Sequence, residues 1–361
     1  MIVVRVVVFV LGLTVVVLTC ASAVRALVLP RGVPDTLSWI VFTVNRWIFG
    51  FWLRWTRSYL ERDAIMAFFA PISVLALLPT WLVLVLVGYT AIFWGLGAGS
   101  WYEAFRISGS SVLTLGFDMA RAPVSAILAL SEAAIGLILV ALLIAYLPTM
   151  YAAFSRREAS VTMLEVRAGS PPSAVELIQR YHRIHGIDHL TALWETWEIW
   201  FADVEESHTS LGALTFFRSP RPGRSWVTAA GTILDAAALT ASTLDRPRDA
   251  RAELCIRAGY IALRGISDFF AIQYDPDPRF PARSISVDRA EFDQACELLA
   301  QAGVPLKPDR DQAWRDFAGW RVNYDQVLLA LCTLTMAPWA LWSSDRAPKF
   351  RSRPLFGKPK G

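Results

Sequence analysis

The chain has 361 residues, of which 55% are hydrophobic and 18% charged, and its mean hydropathy is +0.41. That is more apolar and less charged than an ordinary water-soluble domain, so a single soluble globule is excluded. The net charge of +4 is too small an excess to argue for nucleic acid as a partner. The four cysteines (Cys20, Cys255, Cys296 and Cys332) stand apart with no CxxC pair, which argues against a zinc ribbon or a disulfide framework.

The apolar excess lies in residues 1–155, which carry only nine Arg and six Asp or Glu. Residues 2–29 form a first segment long enough to span a hydrocarbon core of about 30 Å, and Pro30-Arg31-Gly32 ends it. Ala21-Ser22-Ala23 has the small residues of a signal-peptidase site. The preceding region carries only Arg5, however, and the apolar run continues to Leu29, so a retained anchor is expected.

Residues 37–60 repeat apolar side chains at helical spacing through Val41, Val44, Ile48, Phe51, Trp52, Trp55 and Tyr59. Arg46, Arg54, Arg57 and Arg62 interrupt them. Arginine is costly at the centre of a bilayer, so a helix lying in the interface is expected, with a second transmembrane pass as the alternative.

Residues 63–97 are apolar but carry Pro71 and Pro79. They read as a membrane-entering part followed by a spanning helix over 79–96, with Trp94 and Trp101 at the far interface. A last apolar helix starts at Pro123, suited to a first turn, and ends near Arg156-Arg157-Glu158. Arg54, Arg57 and Arg62 before the middle span, and Arg156 and Arg157 after the last, assign those ends to the cytoplasm. A multi-pass cell-membrane protein follows, with residues 97–122 outside and the C-terminal half cytoplasmic.

Between the two spans stands Ser108-Gly109-Ser110-Ser111-Val112-Leu113 followed by Thr114-Leu115-Gly116-Phe117-Asp118. Residues 101–113 look like a pore helix. The next five resemble the filter signature Thr-x-Gly-(Tyr/Phe)-Gly-Asp of potassium channels, and Ser111 occupies the place of that family's frequent upstream Thr. Gly136 falls where its inner helices often carry a gating glycine. Pro148 and Phe154-Ser155-Arg156-Arg157-Glu158 resemble the bent lower end of those helices. The resemblance covers residues 79–158.

It implies a homotetrameric cation channel whose filter is Thr114, Leu115, Gly116, Phe117 and Asp118, with potassium or another monovalent cation as permeant ion and no cofactor. A ring of backbone carbonyls replaces the ion's water shell in such a filter. Pointing successive carbonyls at one axis needs partly left-handed dihedrals, which glycine supplies. This sequence lacks the second filter glycine. Either the loop is one residue shorter, or Asp118 takes the left-handed conformation.

Glu132, inside the last apolar helix, is expected to support the filter by pairing with Arg106 or Ser108, or else to serve gating or permeation. Glu103 and Arg106 are also spaced to pair with each other. Val140, Ile144 and Leu147 are candidates for an apolar gate, with Gly136 and Pro148 as hinges.

Residues 159–345 read as a helical cytoplasmic domain, with helices over 173–185, 190–205, 226–242, 247–274, 286–301 and 312–333, the fifth capped by Ser286. His182, His185 and His189 are spaced three and four apart, with Asp188, Glu205, Glu206 and His208 nearby, a pattern open to metal binding or pH sensing. Residues 209–226 mix aromatics with Arg218, Arg221 and Arg224, and read as a loop touching the membrane or a neighbouring subunit. Residues 328–342 read as a buried helix at the core or a subunit contact, and 346–361 as a disordered tail.

The fold class is therefore an all-α membrane protein: an N-terminal anchor and interfacial helix (1–62), a pore-loop domain (63–158), the helical domain and the tail. The partners expected are membrane lipid, three further copies of the chain and permeant monovalent cations. The rival reading is a membrane-anchored adaptor or sensor, whose helical domain binds a partner or metal and which has no pore.

Overall fold

A computed structural model describes residues 1–29, 35–56, 58–118 and 122–346. The expected breaker at Pro30-Arg31-Gly32, Arg57 and the tail after Arg346 lie outside the described residues. The described chain is helical, with no β-strand and a single isolated bridge between Leu244 and Leu306. It divides into two compact units. One comprises Met1–Trp52 and Phe68–Tyr151, and the other Leu53–Ala67 and the chain from Ala152 onward. Residues 53–62, expected with the anchor, thus belong to the second unit.

The first unit is built from α1 (Ile2–Leu27), α2 (Thr36–Leu53), α4 (Phe69–Gly95), α5 (Trp101–Val112) and the first part of α6 (Pro123–Ala168). The helix α3 (Tyr59–Ala67) runs into α4 through Phe68. Among the described residues three stretches are long and apolar enough to cross a membrane: Ile2–Leu27, Tyr59–Gly95 and Pro123–Ala168.

Helices α1 and α4 pack antiparallel, and glycines let their backbones touch. A Cβ on Gly12 would meet the Gly88 carbonyl oxygen at 2.5 Å, and one on Gly95 would meet the Arg5 carbonyl oxygen at 2.9 Å. Small residues at such crossings are how apolar helices gain contact without a hydrophobic driving force. At the other end of the pair, Trp81 Nε1 donates to Ser22 Oγ at 3.1 Å, and Ser22 Oγ donates to Asp35 at 2.7 Å.

Several sequence expectations change here. The segment over 37–60 is not one helix, because α2 stops at Leu53. The face of α2 that packs is Phe42, Asn45 and Phe49, against Phe69 and Ser73 of α4. Val44, Ile48, Phe51 and Trp52, part of the expected apolar face, are exposed.

Pro79 does not divide the middle segment; α4 runs through it unbroken. Proline removes one backbone donor, but a helix held by neighbours on both sides tolerates the loss, and the Thr80 hydroxyl donates to the Ala76 carbonyl beside it. Pro71 falls in the first turn of α4, where the N–H has no intrahelical partner anyway. Nor does the last apolar helix end at residues 156–158: α6 continues through Pro148 to Ala168.

The second unit is organised around α9 (Trp226–Thr243), which is buried almost all round, as its run of Ala, Thr, Ile and Leu requires. Around it lie α7 (Ala174–Arg183), α8 (Leu190–Ser210), α10 (Ala250–Phe269), α11 (Arg289–Gln301), α12 (Arg310–Arg321) and α13 (Asp325–Thr335). The helix expected over 247–274 is shorter, and that over 312–333 is two helices parted at Val322–Tyr324. Asp288, not Ser286, caps α11, forming a capping box with Glu291, while Ser286 donates to Asp325 instead. The expected helix over 328–342 ends at Thr335, where Met336 turns left-handed at φ 52°.

The core of this unit holds a charged hub at Arg321. Arg321 is wholly buried, pairs with Asp235 of α9 and with Asp325 at 2.9 Å, and donates to the Trp342 carbonyl. Tyr324 Oη donates to Asp235 at 2.8 Å. A buried guanidinium is tolerated because every side of it meets an acceptor.

The glycine crossing is testable by thermal unfolding of the full chain in detergent. Gly88→Ala forces apart two backbones and is expected to cost about 1–3 kcal/mol. Gly50→Ala, whose Cβ would enter open space, is expected to leave stability unchanged or raise it. Equal effects at the two positions would contradict backbone contact at Gly88.

Candidate functional site

The candidate site is the loop 114–118 and what holds it. Ser100 caps α5 with a capping box: its hydroxyl accepts from the Glu103 N–H at 3.3 Å, and Glu103 accepts from the Ser100 N–H at 2.6 Å. Glu103 is therefore committed to the cap and does not pair with Arg106. Trp94 and Trp101 stack with ring centres 4.6 Å apart across the turn before α5.

Between α4 and α6, α5 is fixed by two contacts. Ser108 Oγ lies 3.0 Å from the Leu86 carbonyl oxygen and 2.5 Å from Glu132 Oε1, so its one proton stands between two acceptors. Glu132 is fully buried, and Oε2 has no hydrogen-bond partner among the described residues. Of the two partners expected for Glu132, Ser108 is the one found. The second contact is at Gly136, where a Cβ would stand 2.3 Å from the Val112 carbonyl oxygen. Gly136 thus has a packing role at the end of α5, inside an unbroken helix.

The helix α5 closes with paired backbone bonds: the Leu115 N–H donates to the Ser110 carbonyl at 2.8 Å, and the Thr114 N–H to that of Ser111 at 3.0 Å. This Schellman pattern places Thr114 in the left-handed region, at φ 54°. Gly116 is left-handed as well, at φ 71°, whereas Leu115, Phe117 and Asp118 are not.

Left-handed and ordinary residues therefore alternate from 114 to 117. Of the two alternatives raised for the missing glycine, the left-handed Asp118 is not found. Leu113, Leu115 and Phe117 are all more than half exposed, and no heavy atom outside its chain neighbours comes within 4 Å of a Cβ built on Gly116.

Asp118 ends the loop with three ties. Its backbone N–H donates to Ser110 Oγ at 3.0 Å, Ser110 Oγ lies 3.0 Å from its carbonyl, and its carboxylate pairs with Arg106 at 3.3 Å. Arg106 thus supports the loop from its far end rather than from behind, at Glu132. Ser110 was not singled out in the sequence, although it stands one turn before the Thr-x-Gly-Phe run, on the side where the chain returns. Ser111 bonds only within its helix, to the Ile107 carbonyl at 2.8 Å.

Among the proposed gate residues, Ile144 is exposed and Val140 and Leu147 are partly so. Leu139, Leu143, Tyr146 and Met150 form the buried face of the same helix. Pro148 is exposed within the helix.

In the second unit, the continuation of α6 is held by Arg157. This buried guanidinium donates to the carbonyls of Leu214 and Phe217 at 2.9 and 2.7 Å, pairs with Glu158 at 2.8 Å, and meets His208 Nε2 at 3.0 Å. Since Arg157 donates, Nε2 accepts, and the ring proton sits on Nδ1, 3.2 Å from Ser207 Oγ. Burial, reinforced by the Arg157 charge, pushes the His208 pKa well below the usual 6.5.

The spacing of His182, His185 and His189 left metal binding open. Among the described residues no group of three or more His, Cys, Asp or Glu side chains could hold a metal ion. Nor is the stretch 209–226 free. Arg218 pairs with Asp63, and Arg224 pairs with Glu165, beside which Arg221 also lies at 3.8 Å.

Protein-family models, curated proteins and solved structures yield no match to the chain.

The His208 contact predicts a pH dependence. The folded pKa lies below the unfolded value, so this contribution is fully present above pH 6.5. It is lost as pH falls, by up to about 1.4 kcal/mol per pH unit. Unfolding of the full chain at pH 7.5 and 5.5 should show that loss, and His208→Gln should reduce it. An unchanged slope in the variant would contradict a neutral, Arg157-bound His208.

Proposed function

We propose that the chain is one subunit of a tetrameric cation channel, with loop 114–118 from each copy lining the ion path. The observation that carries this reading is the backbone alternation. Left-handed dihedrals at Thr114 and Gly116, separated by an ordinary Leu115, are the alternation that a wall of carbonyls turned to one side requires, and a Cβ built on Gly116 would meet no heavy atom of the described residues within 4 Å. One copy offers one wall, and the exposed Leu113, Leu115 and Phe117 leave apolar surface for neighbouring copies to cover.

The filter in this reading is one residue shorter than the potassium-channel pattern, because Asp118 follows Phe117 directly without a left-handed residue. One carbonyl ring fewer weakens discrimination, so we assign conduction of monovalent cations, potassium among them, with relaxed selectivity. The Asp118 carboxylates, held by Arg106, would ring the mouth. Val140, Ile144 and Leu147 project from the exposed side of α6 and are the proposed constriction below it.

The antiparallel packing of α1 on α4 supports a topology in which α2 does not cross. If α1 and α4 both span, the end of one and the start of the other share a side, so the segment between them returns to that side. With the arginine bias before α4 and after α6, this favours a cytoplasmic second unit.

A closed Schellman turn at Thr114 is also what a plain helix–helix connection would use, and that favours the adaptor reading. Rubidium uptake into vesicles carrying the purified full chain separates the two. Uptake is expected, with Gly116→Asp reducing it at least tenfold while the oligomer mass is kept. No uptake from intact tetramers, or full uptake in Gly116→Asp, would overturn the channel reading.

A further inference from the structure

We propose that the second unit binds one small monovalent anion, of the size of chloride, in a cavity at the N-terminus of α9. The cavity has a volume of about 20 Å³ and is lined by Thr215, Arg218, Ser219, Arg224 and Trp226, among others, all within one compact unit. A single water needs about 10–15 Å³ on the same measure, so the space seats one monatomic ion. Two hydroxyls point to a ligand there. Thr215 is 1% and Ser219 8% exposed, and neither Thr215 Oγ1 nor Ser219 Oγ has a hydrogen-bond partner among the described residues. A buried hydroxyl is costly to leave unpaired.

What this wall lacks is an acceptor. The Thr215 carbonyl accepts from Trp226 Nε1 at 3.2 Å, and the carbonyls of Leu214 and Phe217 accept from Arg157. The Thr335 carbonyl, of another lining residue, accepts from Arg218 at 2.9 Å. At the start of α9 the Ser225 carbonyl accepts from the Ala229 N–H and the Thr228 hydroxyl, and the Ser225 hydroxyl from the Val227 N–H. The Trp226 N–H has no acceptor among the described residues. A water would bring two more protons to carbonyls that are already engaged. An anion brings none and accepts from hydroxyls and N–H alike.

Charge selects the valence. Arg218 and Arg224 line the cavity, whereas their carboxylate partners, Asp63 and Glu165, do not. Arg221 stands 3.8 Å from Glu165, so three guanidiniums meet two carboxylates and one positive charge is left over. The positive end of the 18-residue helix α9 adds to it. One monovalent ion balances that count, which favours a halide over phosphate or sulfate. Bound there, the ion ties the turn at 215–219 to the start of α9.

The test uses the full chain in detergent and is independent of ion conduction. Its unfolding temperature is followed against chloride, with gluconate, too large for the cavity, holding the ionic strength constant. A rise that saturates is expected. Thr215→Val and Ser219→Ala each remove one donor with little change of shape, and each should weaken the apparent chloride affinity about tenfold. In gluconate alone both variants should be as stable as the parent or more so, since an unpaired hydroxyl is gone. An experimental structure in bromide should show one anomalous peak within hydrogen-bond distance of both hydroxyls. Equal stability in chloride and gluconate would overturn the proposal, as would a chloride effect that both variants keep. Water rather than bromide in the cavity at saturating bromide would overturn it too.

Discussion

The contact of the Val112 carbonyl with Gly136 is the constraint on which the loop depends. A helix inserted between two long apolar helices must end somewhere, and its last carbonyls must be satisfied or covered. Here α5 ends where the backbone of α6 carries no Cβ, so the two chains come as close as sterics permit. The Ser108, Glu132 and Leu86 contact one turn earlier fixes the rotation of α5. With position and rotation both set, the chain leaves α5 through the left-handed step at Thr114.

The second unit solves a related problem with charge. Two arginines, Arg157 and Arg321, are wholly buried, and each is surrounded by carbonyls and carboxylates supplied from several elements. Removing any one partner would leave a buried cation short of an acceptor, which is costly; the arrangements therefore lock elements together more than they add stability. Arg157 locks the continuation of α6 to α8 and the turn after it. Arg321 locks α12 to α9, α13 and the C-terminal turn. Arg218, nearly buried, adds α3 to the same unit.

Much of the helical layout was legible in the sequence, because apolar runs and their punctuation are strong signals. The bounds expected for α5 differ by one residue from those found, and Pro123 opens α6 as a first-turn proline should. One proline inside an apolar helix misled: Pro79 read as a break, yet α4, packed on its neighbours, runs through it. The range 37–60 was read as one helix because its apolar period continues past Leu53. That period describes the exposed side, and the packed side, Phe42, Asn45 and Phe49, has too few residues to stand out.

Around the loop, residue types were legible and pairings were not. Glu132 declared itself by being a carboxylate in an apolar helix, and Ser108 was one of two partners that spacing allowed. Arg106 could reach Glu103, Glu132 or Asp118, and only three-dimensional geometry chooses the last. Ser110 carries no signal in a Gly-Ser-Ser run until the chain folds back over it. The histidines show the same limit: their spacing left metal binding and pH sensing open, and only the fold shows that His208 meets Arg157, a residue 51 positions away.

The central claim is that the carbonyls of residues 114–117 from four copies face one another around ions. Anomalous scattering from rubidium in an experimental structure of the assembled protein tests it most directly. The account predicts rubidium density on a fourfold axis, level with the Thr114 and Gly116 carbonyls, and one site fewer than a filter with two glycines would hold. An ordered loop at high rubidium with its carbonyls turned from the axis and no axial density would contradict it.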